Sequence, residues 1–316
     1  MLISRTLIDA ATAAQLPADD VLFVDCRFDL TDAKKGDRDY AAAHVVGAVR
    51  ADLDRDLADM ATPSNGRGRH PLPEAASFAA WLSRAGWRPD LQVVAYDTAG
   101  GALAAARFWW LGRLAGIDNV AVLDGGWAAW LEAKLPVDDA TVQRESTAVH
   151  VVFDEAGTIA ADELAEGVAS GHLLLLDARA TPRYRGEVEP LDPVAGHVPG
   201  ARNHPFADNL DAHGRFRLPE ELSRAFKATL GAHSADDVVH MCGSGVTACH
   251  NLLAMEYAGL CGSRLYAPSW SGWVSREYSK KAPGPMPFTR CRTYPRPSAT
   301  NERKTVRNAQ CPTHAS

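Results

Sequence analysis

The chain is poor in the features that would assign it to most broad classes. Among its 316 residues no apolar run approaches the ~18 needed to cross a bilayer as a helix. Residues 1–16 alternate polar and apolar side chains and contain no signal-peptide hydrophobic region. Six cysteines (Cys26, Cys242, Cys249, Cys261, Cys291, Cys311) form no CxxC pair and no regular framework, which fits free thiols in a reducing compartment. Eleven histidines show neither HExxH nor paired-ligand spacing, so no metal site is expected. A net charge of −6 supplies no basic excess for a nucleic acid. These absences lead to the expectation of a soluble cytoplasmic protein with no cofactor, no nucleic-acid partner and no membrane partner.

What the chain does have is apolar material, 46% of its residues, and a length that suits two domains. It is also written twice. Val21-Leu22-Phe23-Val24-Asp25-Cys26-Arg27 matches Leu173-Leu174-Leu175-Leu176-Asp177-Ala178-Arg179, each an apolar strand ending in Asp-x-Arg. Ala43-His44-Val45-Val46-Gly47-Ala48 matches Gly196-His197-Val198-Pro199-Gly200-Ala201. Val93-Val94-Ala95-Tyr96-Asp97 matches Val238-Val239-His240-Met241-Cys242, and the Trp-rich stretch 123–130 matches 265–273. Repeats in the same order at half the chain length indicate two copies of one domain, because a solenoid needs shorter periods. Short apolar strands alternate with helical stretches such as 75–85 and 219–230. The expected class is therefore α/β: two tandem domains, each a mainly parallel sheet with helices on both faces.

The expected boundaries are 1–135 for the first domain, 136–157 for a polar surface linker, 158–274 for the second domain and 275–316 for a tail. That tail carries nine Lys/Arg, two Glu and six Pro with little apolar periodicity, and is expected to be disordered.

The chemistry concentrates in Cys242-Gly243-Ser244-Gly245-Val246-Thr247. An apolar strand precedes this loop and a helical pattern over 248–257 follows it. A cysteine there meets converging backbone N–H groups and the positive end of a helix, which favours thiolate and can hold an anion beside it. Gly243 and Gly245 are expected to supply the positive φ of such a cradle. The first copy has Asp97 where the second has Cys242. A carboxylate cannot accept a sulfur atom as a soft nucleophile, so one active site per chain is expected.

Taken together, the Cys-Gly-Ser-Gly-Val-Thr loop, the Gly-His-Val-Pro-Gly-Ala segment, the Asp-x-Arg strand ends and the Trp-rich closing segments resemble the tandem-domain rhodanese family of sulfurtransferases. The likeness covers roughly residues 5 to 274, and the loop is most similar to the mercaptopyruvate type. Thiosulfate-preferring members carry Arg-Lys directly after the cysteine. The resemblance implies that Cys242 takes the outer sulfur of a small donor as a persulfide. It then passes that sulfur to cyanide or to a thiol such as a reduced thioredoxin. It also implies that Arg183 holds the donor's anionic group. Gly243, Gly245, Val246 and Thr247 would line the substrate, and Ser244, His70 and Asp54 would form a Ser-His-Asp relay. The chain departs from the family pattern at Leu191, where eukaryotic mercaptopyruvate enzymes have a second Arg, and at Pro268 and Gly272, where Gly and Glu are usual. His44, His197 and Cys249 are read as packing residues, and Arg27 and Arg179 as partners of acids in their own domains.

Three alternatives stand beside this reading. One is a thiosulfate:cyanide sulfurtransferase on the same residues. A cysteine phosphatase or arsenate reductase would need Cys-x5-Arg, whereas position 248 is Ala. A non-catalytic binding module would have no use for Cys242.

Overall fold

The computed structural model describes residues 3–62 and 66–276. From residue 277 onward the expected tail lies outside the described residues.

The apolar runs form short strands: Leu7–Ile8 (β1), Val21–Asp25 (β2), His44–Val45 (β3), Val49–Arg50 (β4), Gln92–Tyr96 (β5), Val120–Leu123 (β6), Val137–Asp138 (β7), Leu174–Asp177 (β8), Arg202–Asn203 (β9), Val238–Met241 (β10) and Arg264–Leu265 (β11). The first half builds a sheet in the order β1-β6-β5-β2-β4, and the second builds β11-β10-β8-β9. Every pairing within these two sheets is parallel. Parallel strands covered on both faces must be apolar throughout, and every residue of β2, β5, β8 and β10 is buried.

The loops that follow β5 and β10 occupy equivalent places. β5 lies between β2 and β6 and runs into Asp97; β10 lies between β8 and β11 and runs into Cys242. Each loop leads to a helix, Ala105–Leu114 in the first half and Ala248–Tyr257 in the second. These helices are buried nearly all round and pack on each other across the halves, which their largely apolar surfaces favour. Trp109 and Phe78 from the first half and Leu252 and Phe226 from the second therefore belong to one continuous core. Smaller cores sit on the outer face of each sheet.

The segment between the halves crosses the surface and is pinned to the first half. β7 pairs antiparallel with β3, so Val137 and Asp138 lie against Val45 and His44. Thr147 then exchanges bonds with Ser83 and Trp87, its N–H and carbonyl serving the first and its hydroxyl the second. Val151 is buried and the Asp154 N–H donates to the Leu114 carbonyl at 2.8 Å. Exposed β-branched residues such as Val137 and Val152 in polar surroundings gave no period, and the pinning contacts all come from distant segments.

Repeat symmetry extends to side chains. Arg27 pairs with Asp25, donates to the Ala43 carbonyl and stacks over Trp127. Arg179 pairs with Asp177, donates to the Gly196 carbonyl and stacks over Trp270. His44 and His197 each bond a backbone carbonyl, of Tyr40 and Tyr184, and stack on the same tyrosine. All four are structural, as their positions in the repeat suggested. Cys26, Cys242 and Cys249 are free thiols. Cys261 is disulfide-bonded, so the expectation of free thiols does not extend to it.

Candidate active site

Cys242 is 2% exposed, at the floor of the loop between β10 and the helix Ala248–Tyr257. The Gly245 N–H donates to its Sγ at 3.1 Å. Among the described residues the N–H groups of Gly243, Ser244, Val246 and Thr247 have no protein acceptor, so the loop presents a cluster of donors beside the sulfur. Val246 is buried and Thr247 directly precedes the helix, which brings the helix's positive end to the same place. Gly245 has φ +80°, and any side chain there would collide with the Ala267 carbonyl. Gly243 does not need a positive φ, contrary to expectation. A Cβ there would lie 2.9 Å from Arg69 Nη2, the far end of a flexible side chain, and in ordinary contact at 3.5 Å with both Nη atoms of Arg183.

Three bonds dock the closing helix Ser269–Ser275 onto the loop. Cys242 N–H donates to Ser269 Oγ at 3.0 Å, Trp270 N–H to the Cys242 carbonyl at 3.0 Å, and Ser271 N–H to the Gly243 carbonyl at 2.9 Å. Ser269 adopts φ +52°, a strained conformation held at the site by these contacts.

The first half contributes a chain of polar groups. His70 is buried, its Nδ1 lies 2.8 Å from Ser244 Oγ, and its Nε2 lies 3.4 Å from Asp54 Oδ1. At 3.4 Å the Asp54 carboxylate is within ion-pair reach of the ring but makes no hydrogen bond to it, and among the described residues the ring's hydrogen bond is to Ser244. Of the neighbouring acids, Asp52 is the structural one: it is buried, accepts the N–H groups of Asp54 and Arg55, and pairs with Arg50 at 3.0 Å.

Arg183, on the short helix Thr181–Tyr184, is held by Glu189 at 2.7 Å. Burial raises the Glu189 pKa, but the Arg183 bond and the N–H groups of Leu191 and Asp192 outweigh it and hold the carboxyl below its ordinary range. Leu191 is half-exposed and contributes its backbone N–H to Glu189 at 3.1 Å. Cys249 is buried, donates to the Gly245 carbonyl, and is pushed up to about 12 by desolvation, so it stays a thiol.

Residues 9–133 and 160–276 both match the family described as the Rhodanese-like domain. The protein belongs to the rhodanese family. It is 47% identical over 263 residues to the probable 3-mercaptopyruvate sulfurtransferase of Pseudomonas aeruginosa, covering 83% of this chain and 92% of that one. It is 39% identical to a putative thiosulfate sulfurtransferase of Mycobacterium tuberculosis, covering 86% of this chain and 94% of that one. The solved 3-mercaptopyruvate sulfurtransferase from Leishmania major superposes with a TM-score of 0.75 at 30% identity, over 85% of this chain and 74% of that one. Both halves of this rhodanese are α/β domains with parallel sheets, and no helix among the described residues is long and apolar enough to cross a membrane.

Two arginines that contact the site escaped the sequence reading. Arg69 sits in a Gly/Arg-rich loop that reads as solvated, yet it pairs with Asp192 of the other half. Arg107 sits inside the buried helix Ala105–Leu114 and is fully buried with no carboxylate partner among the described residues. It donates to the Gly245 carbonyl at 3.0 Å and the His70 carbonyl at 3.2 Å, joining the cysteine loop to the relay. Burial lowers its pKa, opposed by the thiols of Cys249 and Cys242 nearby. A charge at the centre of a run whose neighbours are apolar, Ala105 and Ala106 before it and Phe108 to Leu111 after it, was the available signal.

Proposed function

We propose that this rhodanese is a sulfurtransferase that moves the outer sulfur of 3-mercaptopyruvate through a Cys242 persulfide to a thiol or to cyanide, releasing pyruvate. The Cys242 thiolate attacks the donor sulfur and forms the S–S bond as the C–S bond breaks. The electron pair of that bond leaves on carbon as the enolate of pyruvate, which must gain a proton. The acceptor, a thiol such as that of a reduced thioredoxin, or cyanide, then removes the sulfane sulfur and returns Cys242 to thiolate.

The observation that carries this reading is the hydrogen-bonded pair Ser244–His70 at 2.8 Å, adjacent to the nucleophile and backed by Asp54. An enolate leaving group benefits from a general acid, whereas sulfite departs from thiosulfate as a stable anion and needs none. Charge supports the same choice. Arg183 and Arg69 are balanced by Glu189 and Asp192, so the site lacks the uncompensated cations that a dianion favours. The P. aeruginosa and L. major relatives carry the mercaptopyruvate name. The M. tuberculosis relative's name favours the second reading, thiosulfate as donor.

Steady-state kcat/KM of the full chain with each donor tests the assignment. Loss of one charge-assisted contact, about 1.5–3 kcal/mol, corresponds to about one to two decades in rate, so 3-mercaptopyruvate is expected to lead by at least about tenfold. A preference for thiosulfate overturns the reading.

A further inference from the structure

We propose that Arg107 is a positioning residue for sulfur transfer: it grips the carbonyls of Gly245 and His70, holds the cysteine loop and the relay in one frame, and turns its charge toward the anion that forms on Cys242. The proposal rests on Cys242 as the sulfur carrier and is independent of which donor supplies the sulfur.

Arg107 belongs to the helix Ala105–Leu114 of the first half and is fully buried where that helix packs on Ala248–Tyr257 of the second. Burying a guanidinium is costly unless its donors are filled and its charge is offset. Nη1 donates to the Gly245 carbonyl at 3.0 Å and Nη2 to the His70 carbonyl at 3.2 Å, while Nε has no partner among the described residues. These carbonyl dipoles and the Trp110 ring, its centroid 5.9 Å away, offer partial charges only. The ionisable groups that reach the guanidinium are the thiols of Cys249 and Cys242. Desolvation pushes Cys249 up to about 12, which keeps that sulfur neutral. Cys242 is therefore the neighbour whose anion can balance Arg107, and it is the sulfur that the reaction needs as an anion.

The fork also sets direction. The Gly245 carbonyl and the Val246 N–H share one trans peptide and point opposite ways, so holding the first aims the second. The Val246 N–H is one of the loop donors with no protein acceptor among the described residues. On the peptide before it, the Gly245 N–H reaches Cys242 Sγ at 3.1 Å. Cys249 Sγ donates to the same Gly245 carbonyl at 3.3 Å, but from the loop's own helix; Arg107 ties that carbonyl to the first half. The other arm of the fork holds the backbone of His70, whose Nδ1 lies 2.8 Å from Ser244 Oγ. One side chain thus sets the nucleophile's loop and the relay histidine against each other, across the seam between the halves.

Two measurements on the full chain test this for wild type, Arg107→Met and Arg107→Lys, at a temperature where thermal melts show each to be folded. The first is the rate of Cys242 alkylation by iodoacetamide at neutral pH, read by peptide mass spectrometry. In that reaction the thiolate displaces iodide and no sulfur donor takes part. Arg107→Met is expected to slow it about tenfold, and Arg107→Lys should recover part of the rate because the charge remains without the planar fork. The second is steady-state kinetics on 3-mercaptopyruvate with cyanide as acceptor. In Arg107→Met kcat should fall about thirty- to a hundredfold with KM within about threefold, since Arg107 does not touch the donor; Arg107→Lys should lie between.

Alkylation in Arg107→Met as fast as in wild type, or faster, overturns the proposal, because loss of a merely structural arginine would loosen the loop and bare the thiol. A kcat within about threefold of wild type overturns it too. Should Arg107→Met not fold, Arg107→Lys decides alone: a lower value in both measurements supports the proposal, and a wild-type value in either overturns it. A wild type that consumes no 3-mercaptopyruvate overturns the donor assignment and leaves the alkylation rates to decide the role of Arg107.

Discussion

The loops after β5 and β10 start from the same place in the same fold and end in opposite chemical states. In the first, the Asp97 carboxylate turns into its own cradle and accepts five backbone N–H bonds, from Ala99 and Gly101 on Oδ1 and from Leu103, Ala104 and Ala105 on Oδ2, at 2.8–3.1 Å. In the second, the Cys242 sulfur accepts one, from Gly245. The closing Trp segment docks on both alike: Trp127 N–H donates to the Asp97 carbonyl as Trp270 N–H does to that of Cys242. An anion cradle is therefore a property of the strand–loop–helix unit. One residue decides whether the cradle is filled by its own side chain or left to face a bound anion. The first half has put its cradle to structural use and lends its other loops, carrying Asp54, His70 and Arg69, to its partner.

The sharpest way to break this comparison is to remove each central residue in turn. Cys242→Ser is expected to lower turnover by about a thousandfold or more, because the oxygen cannot carry the sulfane sulfur. Asp97→Ala should leave turnover within about threefold at a temperature where the protein is folded. It should destabilise the fold by about 3 kcal/mol or more, since five donors, three of them in buried bonds, lose their acceptor. Thermal melts alongside rates separate the two effects. A turnover loss in Asp97→Ala comparable to that of Cys242→Ser would give the first loop a chemical role and end the contrast.

A smaller effect probes the seam between the loops. His250, on the helix after Cys242, donates through Nε2 to the carbonyl of Gly100 in the Asp97 loop at 3.1 Å. Burial pushes its pKa down to about 4, and that of His240 on β10 to about 3. Both are neutral when folded and titrate near 6.5 when unfolded, so the unfolded chain binds more protons below that value. Stability is fully present above about pH 6.5 and falls on acidification, by up to about 1.4 kcal/mol per pH unit for each histidine until its folded pKa is reached. Urea midpoints between pH 7 and 4.5 should show this slope, and His250→Gln should flatten it. An unchanged slope in that variant would mean that His250 is not a buried neutral link between the loops.

Local patterns made much of the fold legible. The helices Pro219–Leu230 and Ala248–Tyr257 and the strand β10 follow from apolar spacing and flanking turns. The repeat in the sequence aligns Asp97 with Cys242. The site was legible only in part, because its contacts are long-range. His70 and Ser244 are 174 residues apart, and Arg69 and Asp192 are 123 apart. His70 and Asp54 entered through family likeness, since no local pattern separates Asp54 from Asp52, Asp56 and Asp59. Arg69 looked solvated because the groups that bury its loop, Ser271 and Pro268, belong to the other half. Gly243 does not take the positive φ that its place in the loop suggests, whereas Gly245 does.

The central claim, that one of two like loops carries sulfur, is tested most directly by peptide mass spectrometry after a single incubation with 3-mercaptopyruvate and no acceptor. The account predicts one added sulfur mass on the peptide containing Cys242, removed by cyanide or dithiothreitol, and none on the peptides containing Cys26 or Cys249. Sulfur on either of those peptides with Cys242 unmodified would contradict it.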